Sequence, residues 1–231
     1  MKLIIPLLSV LLSFSIGSYA KDITDAVVVE RTKELRDISL GMHVSELPAK
    51  RYKDFTCGGP AKVPKKLKSL SEFLECSIDA HNIYQVWLKY DHSDNQWSEV
   101  GERFSGTKIS GHPVNLSVLI DNEGVIQGLQ AYTDPNASPF SKRQAYLLSA
   151  NIKKRYGSSQ WECIDETEAD QGKHKAIGPV YIDQVCSKTI DDKRIIVKSK
   201  FYRSSDDPIE KGITNSSSLV IISLKILPFQ S

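Results

Sequence analysis

Cysteine placement constrains this chain more than any other feature. Its four cysteines, Cys57, Cys76, Cys163 and Cys186, fall as two pairs, one in each half of the 231 residues, with members roughly 20 positions apart. An even number of cysteines in an exported chain reads as a disulfide framework. Three connectivities are possible; Cys57–Cys76 and Cys163–Cys186 close the shortest loops, each worth roughly 3 kcal/mol by loop-closure entropy. The rival uses of cysteine find little support. There is no CxxC for a zinc ribbon or a thioredoxin-like redox centre, and no histidine pair sits at finger spacing.

The export that this framework requires is written at the N-terminus. Lys2 supplies a positive start, Leu3 to Ile16 form an apolar run, and Ser18-Tyr19-Ala20 place small residues where a signal peptidase reads them. Residues 1–20 therefore read as a signal peptide cleaved after Ala20, too short for a transmembrane helix of roughly 20 apolar residues. The expected address is periplasmic or secreted, with no membrane anchor after cleavage. The formal charge of +2 falls to about +1 when Lys2 leaves, which gives no bulk attraction to nucleic acid.

The two halves share an order of elements. Arg51-Tyr52 precedes Cys57 and Arg155-Tyr156 precedes Cys163, each after a segment of helical character, and a second cysteine then leads into a strand-like run. Ser141-Lys142-Arg143-Gln144 has the form of a capping box. Ala145, Leu148, Ile152 and Tyr156 follow at helical spacing, and Gly157 stands as the C-terminal cap. The first-half counterpart, Ser39 to Tyr52, is expected as a short helix because Pro48 interrupts it. Tyr84, Val86, Leu88 and Tyr90 alternate with polar neighbours, as do Val114, Leu116, Val118 and Ile120. The segment Asp121-Asn122-Glu123-Gly124 then turns the chain into Val125 to Thr133. Ile195, Val197 and Phe201 alternate similarly, Leu219 to Leu227 supplies a last strand, and Ser204 to Ser218 reads as a loop.

These elements predict an α+β fold: antiparallel sheets with short helices packed on one face, built as two tandem disulfide-stapled repeats. The units are expected at 21–136 and 137–231, joined in the proline-punctuated stretch Asp134 to Ser141.

The stretch Asp37-Ile38-Ser39-Leu40-Gly41-Met42-His43-Val44-Ser45-Glu46-Leu47 resembles the helix-initiating I-x-x-G-M-T-x-x-E-V motif of a group of exported bacterial proteins. They are related to beta-lactamase inhibitor protein and to the SmpA/OmlA outer-membrane assembly lipoproteins. The resemblance implies a tandem repeat of helix pair plus antiparallel sheet with one disulfide per repeat, and a protein-binding surface without catalysis. His43 stands where the motif has Thr, the second half has no Gly-Met segment, and the lipoprotein cysteine is absent. Tyr52 to Gly58 is similar to a Y-x-D-F-x-C-G segment of uncharacterised exported proteins, which brings no function with it.

Chemistry-bearing patterns are sparse. The five histidines, at 43, 81, 92, 112 and 174, show no i, i+4 pair, and there is no G-x-S-x-G, H-E-x-x-H or phosphate-binding glycine loop. Asp91, Ser93, Asn95, Glu99 and Glu102 fall at positions 1, 3, 5, 9 and 12 of a calcium loop, but Gln96 replaces the glycine of the sharp turn. A polar hairpin loop is the simpler expectation. Asn115, Asn136 and Asn215 head glycosylation sequons, read as accidental in a bacterial chain. Lys65 and Lys66 lie in a basic inter-cysteine loop, and Trp87 and Trp97 mark an aromatic-rich hairpin. Strand alternation points Trp87 away from Tyr84, Val86 and Tyr90.

The sequence thus reads as an exported, non-catalytic protein-binding domain, inhibitor- or assembly-factor-like, with Trp87, Trp97, Lys65 and Lys66 as candidate contacts. It calls for no cofactor, metal or nucleic acid. A secreted effector binding a host protein, and a hydrolase with dispersed catalytic residues, are the alternatives.

Overall fold

The computed structural model describes residues 34–58, 64–91, 107–143, 145–166, 174–204 and 212–226; the expected signal peptide lies outside them. The described chain is mostly antiparallel β-sheet with a few short helices and two disulfides. Its strands are β1 (Tyr52–Cys57), β2 (Lys65–Lys66), β3 (Tyr84–Tyr90), β4 (Lys108–Ile109), β5 (His112–Ile120), β6 (Ile126–Thr133), β7 (Glu162–Asp165), β8 (His174–Lys175), β9 (Ile182–Ile190), β10 (Lys193–Ser204) and β11 (Ile213–Ser223). They form one 11-stranded sheet of order β2-β1-β3-β5-β6-β11-β10-β9-β7, with β4 appended to β5 and β8 to β10. The pairing of β6 with β11 joins a strand of residues 126–133 to one of residues 213–223.

Local chemistry explains the strand connections. Asp121 Oδ1 accepts from the N–H groups of Glu123 and Val125, both at 2.9 Å, and Gly124 takes a φ of +81°. The β5–β6 hairpin therefore forms where Asx-turn chemistry and a left-handed glycine coincide. The β9–β10 hairpin turns on Asp191-Asp192 alone, with Asp191 at φ +53° and Ile190 opposite Lys193.

The apolar positions of alternate residues gather on one face. Val86 and Leu88 of β3, Val118 and Ile120 of β5, Leu129 of β6, Val197 of β10 and Ile221 of β11 form one buried cluster. Helix α1 (Pro139–Lys142) and helix α2 (Leu147–Arg155) lie in the connection between β6 and β7, and Leu148 and Ile152 of α2 are buried in that same cluster. The C-terminus of α2 has two caps. Gly157 has a φ of +84°, and the Lys188 ammonium donates to the carbonyls of Tyr156, Gly157 and Ser159 at 2.8, 3.3 and 3.0 Å.

Several expectations about local structure are corrected. The expected short helix over Ser39 to Tyr52 is a pair of three-residue 3-10 turns, Val44–Glu46 and Ala49–Arg51, with Pro48 between them as N-cap of the second. The capping residue of α1 is Ser138, whose hydroxyl accepts from the Ser141 N–H, and α2 begins only at Leu147. Pro139 at the first helical position favours the earlier start. Residues 213–218, expected as loop, belong to β11, where they pair along their length with β10. Their serines supply small side chains to a fully paired strand.

The disulfides join Cys57 to Cys76 and Cys163 to Cys186. The first ties the end of β1 to the residue that follows the 3-10 turn Leu70–Glu75. The second joins directly opposed residues on β7 and β9, with Cα atoms 4.0 Å apart.

Candidate functional site

Directly opposed residues of an antiparallel sheet point to the same face, so the register defines what the opposite face displays. One row runs Lys66, Thr56, Trp87, Ser117, Gln130, Val220. The next runs Asn115, Tyr132, Ser218, Lys198. A third joins Gln85 to Leu119 and onward to Gly128 and Ile222. Towards one end this face is apolar: Ile83, Leu119, Val220 and Ile222 form a second buried cluster with Ile196 and Ile226 packed against it. Elsewhere it is polar and aromatic.

Trp87 and Tyr132 stand at the centre of the polar part. Their rings meet edge to face, with centroids 5.3 Å apart, although β5 separates their strands and neighbouring strands lie about 4.8 Å apart. Ser117, opposite both Trp87 and Gln130, is fully buried. A side chain this small lets the two rings close over β5. Beside them Gln85 Nε2 donates to Ser117 Oγ at 2.9 Å and to Gln130 Oε1 at 2.8 Å, which fixes a polar ladder across three strands. The amide of Asn115 approaches the Tyr132 hydroxyl and favours its ionised form, but burial dominates and holds the phenol above its ordinary value. Asn115 Nδ2 meets no acceptor with hydrogen-bond geometry, and neither does the buried Trp87 Nε1.

A cavity of 560 Å³ opens beside the indole. Its wall includes Thr56, Lys66, Trp87, Asn115, Phe55 and Leu67. The recess has a cause in β1, where the register slips between Lys53 and Thr56 and Asp54 takes a φ of +56°. Such a bulge bends its strand away from its partner. Lys89 and Asp54, both on the cavity wall, pair with each other at 2.9 Å and are more than half exposed.

The sequence candidates divide on this geometry. Trp87 projects from the sheet on the face opposite Val86 and Tyr90, and it shares the cavity with Lys66. Lys65 does not: it opposes Cys57, and its ammonium is held by the Glu75 carboxylate at 2.8 Å. That ammonium keeps Glu75 below the usual carboxylate range. Trp97 lies outside the described residues, as do Ser93, Asn95, Glu99 and Glu102 of the candidate calcium loop. Asp91, its first position, is half-buried and paired with Lys53 at 3.4 Å. Among the described residues no three His, Cys, Asp or Glu side chains converge to hold a metal ion, and no helix is long and apolar enough to cross a membrane.

Sequence reasoning missed Tyr132, Gln130 and Asn115. The signal was present in β6, where Gln130 and Tyr132 alternate with Leu129 and Ala131, so an aromatic ring falls on the polar side of the strand. A further charged group lies toward the other edge of the sheet. Burial disfavours the Lys200 ammonium, but Asp183 at 3.5 Å and Glu166 at 3.3 Å outweigh burial and raise its pKa.

No protein-family model matches the chain, and no curated protein or solved structure matches it.

Proposed function

We propose that this chain is an exported, non-catalytic protein-binding domain, inhibitor- or assembly-factor-like, acting in the periplasm or outside the cell after signal-peptide removal. The observation that carries this reading is the Trp87–Tyr132 pair on the sheet face opposite the main apolar cluster, flanked by Gln85, Gln130 and Lys198. Aromatic side chains framed by polar neighbours are the usual anchors of protein interfaces.

Two further features support it. Two disulfides suit an oxidising compartment. Read outward from the β6–β11 seam, the strands run β6-β5-β3-β1 on one side and β11-β10-β9-β7 on the other. This mirrored order favours the reading of two tandem α+β repeats, each with one disulfide, and is what the resemblance to beta-lactamase inhibitor protein and the SmpA/OmlA group implies. On that reading the helical segments cover one face and leave the other for a partner.

The test is affinity capture from periplasmic and secreted extracts with the wild-type protein and with Trp87→Ala and Tyr132→Ala, read by mass spectrometry. A partner retained by the wild type and lost by both variants, with unchanged circular dichroism, supports the reading. Equal capture by all three sinks it.

A further inference from the structure

We infer that the Cys163–Cys186 disulfide is a thiol–disulfide exchange site, reduced by a dithiol that attacks at Cys163. The proposal goes beyond the protein-binding reading. Cys186 opposes Val197 of the main apolar cluster, so the bond lies on the helix side of the sheet and not on the face that carries Trp87.

Access separates the two sulfurs. All four residues of β7 are exposed, Cys163 among them, whereas Cys186 on β9 is 1 % exposed. β7 ends the strand order, and the bond runs from it inward to β9. A thiolate attacks a disulfide sulfur in line with the bond it breaks, so the rate depends on which sulfur can be approached. At Cys163 that line comes from beyond the sheet edge, where no described strand lies. At Cys186 it comes across β10, where Val197 is buried.

The charge beside Cys163 favours what the exchange produces. Lys153, in the last turn of α2, places its ammonium 3.5 Å from Cys163 Sγ and 3.3 Å from Gln184 Oε1. No carboxylate among the described residues pairs with it, and burial lowers its pKa unopposed. Reduction creates the missing counter-ion as the Cys163 thiolate. A neighbouring cation lowers a thiol pKa and makes that thiolate the better leaving group. The other disulfide lacks both features. Lys65 opposes Cys57, but Glu75 already holds its ammonium at 2.8 Å, and Cys76 is buried.

The first thiolate of the dithiol attacks Cys163 Sγ. The S–S bond breaks, and Cys186 Sγ leaves with the electron pair and takes a proton from solvent. The second thiolate then attacks the dithiol sulfur of the mixed disulfide and expels Cys163 as a thiolate beside Lys153. The dithiol, its two protons shed to solvent, ends as a disulfide, and the protein gains two electrons. β7 is then held to β9 by backbone pairing alone.

The experiment incubates the folded protein with dithiothreitol, quenches it over time with N-ethylmaleimide and maps the alkylated cysteines by mass spectrometry. Cys163 and Cys186 should be alkylated several-fold faster than Cys57 and Cys76. With glutathione as a monothiol probe, the trapped mixed disulfide should sit on Cys163, with Cys186 alkylated. In the reduced protein, the pH dependence of Cys163 alkylation should give a pKa below the ordinary value of about 8.5, raised by about one unit in Lys153→Met and restored in Lys153→Arg. Equal reduction rates for the two disulfides, a glutathione adduct on Cys186, or the same Cys163 pKa in the wild type and Lys153→Met overturns the proposal. Capture of a partner through the Trp87 face does not depend on this bond, so the two readings fail separately.

Discussion

The His112 imidazole and the Thr133 hydroxyl lie 3.0 Å apart, both buried, beside the seam where β6 meets β11. The direction of this hydrogen bond follows from proton counting. Thr133 Oγ1 donates its one proton to the Ser217 carbonyl at 3.2 Å and accepts from the Ser217 N–H at 2.9 Å. His112 Nε2 must then donate, so the neutral imidazole carries its proton there.

A pH dependence follows. Burial lowers the His112 pKa from its ordinary 6.5. Below about pH 6.5 the unfolded chain therefore binds a proton that the folded chain resists, and stability falls as pH drops through this range; above it the contribution is fully present. Urea denaturation of the wild type should show a lower midpoint at pH 5 than at pH 7.5. His112→Phe should cost about 1 kcal/mol at pH 7.5 through the lost hydrogen bond and show a smaller difference between the two pH values. An unchanged pH slope in the variant would exclude His112 as the source.

A second prediction concerns Glu34 and Lys193. The Glu34 side chain is 3 % exposed and pairs with the Lys193 ammonium. Its other oxygen accepts from the Leu40 N–H at 2.9 Å, and the Tyr156 hydroxyl donates to its backbone carbonyl at 3.2 Å. Removing one partner leaves a charge in a water-poor site, so Lys193→Met should cost about 3–5 kcal/mol. The double variant Glu34→Gln/Lys193→Met should cost clearly less than the sum of the two single changes, as a double-mutant cycle would measure.

Gly124 shows which parts of the fold were legible in the sequence. Its turn could be read because Asp121 and Gly124 act locally: one supplies an Asx turn and the other a positive φ. The same position also carries a long-range constraint that no pattern reveals, since an added Cβ would lie 2.7 Å from His43 Nε2. Gly124→Ala should accordingly cost more than the roughly 1–2 kcal/mol of left-handed backbone strain alone, a difference that His43→Ala in the same background should relieve. Where sequence reasoning failed, tertiary pairing had overridden local preference. The polar run 213–218 is strand because β10 supplies its hydrogen bonds. The segment around Val44 makes only 3-10 turns because Gly41 and Val44 hydrogen-bond to Ile126 and Gly124 of the β5–β6 hairpin instead of extending a helix. The candidate site was half legible for the same reason. Alternation in β3 set the direction of Trp87, but its neighbours Tyr132 and Lys66 come from strands whose register is fixed only by the folded sheet.

The register also separates two lysines that sequence alone treats as equivalent. Lys65 and Lys66 are adjacent on β2 and therefore face opposite sides of the sheet. Lys65 opposes Cys57 and is engaged by Glu75, whereas Lys66 opposes Thr56 and reaches the cavity beside Trp87. Charge reversal should therefore split their effects. Lys66→Glu reverses the charge in the row that carries Trp87, and capture of a partner through that face should fall by about tenfold or more while the unfolding midpoint stays within the range of an ordinary surface change, about ±0.5 kcal/mol. Lys65→Glu sets two carboxylates together at Glu75, so its cost should appear in stability and be relieved by Glu75→Lys, with binding nearly unchanged. Equal losses of binding in the two variants would mean that the loop acts through bulk charge rather than through the face that register assigns to Lys66.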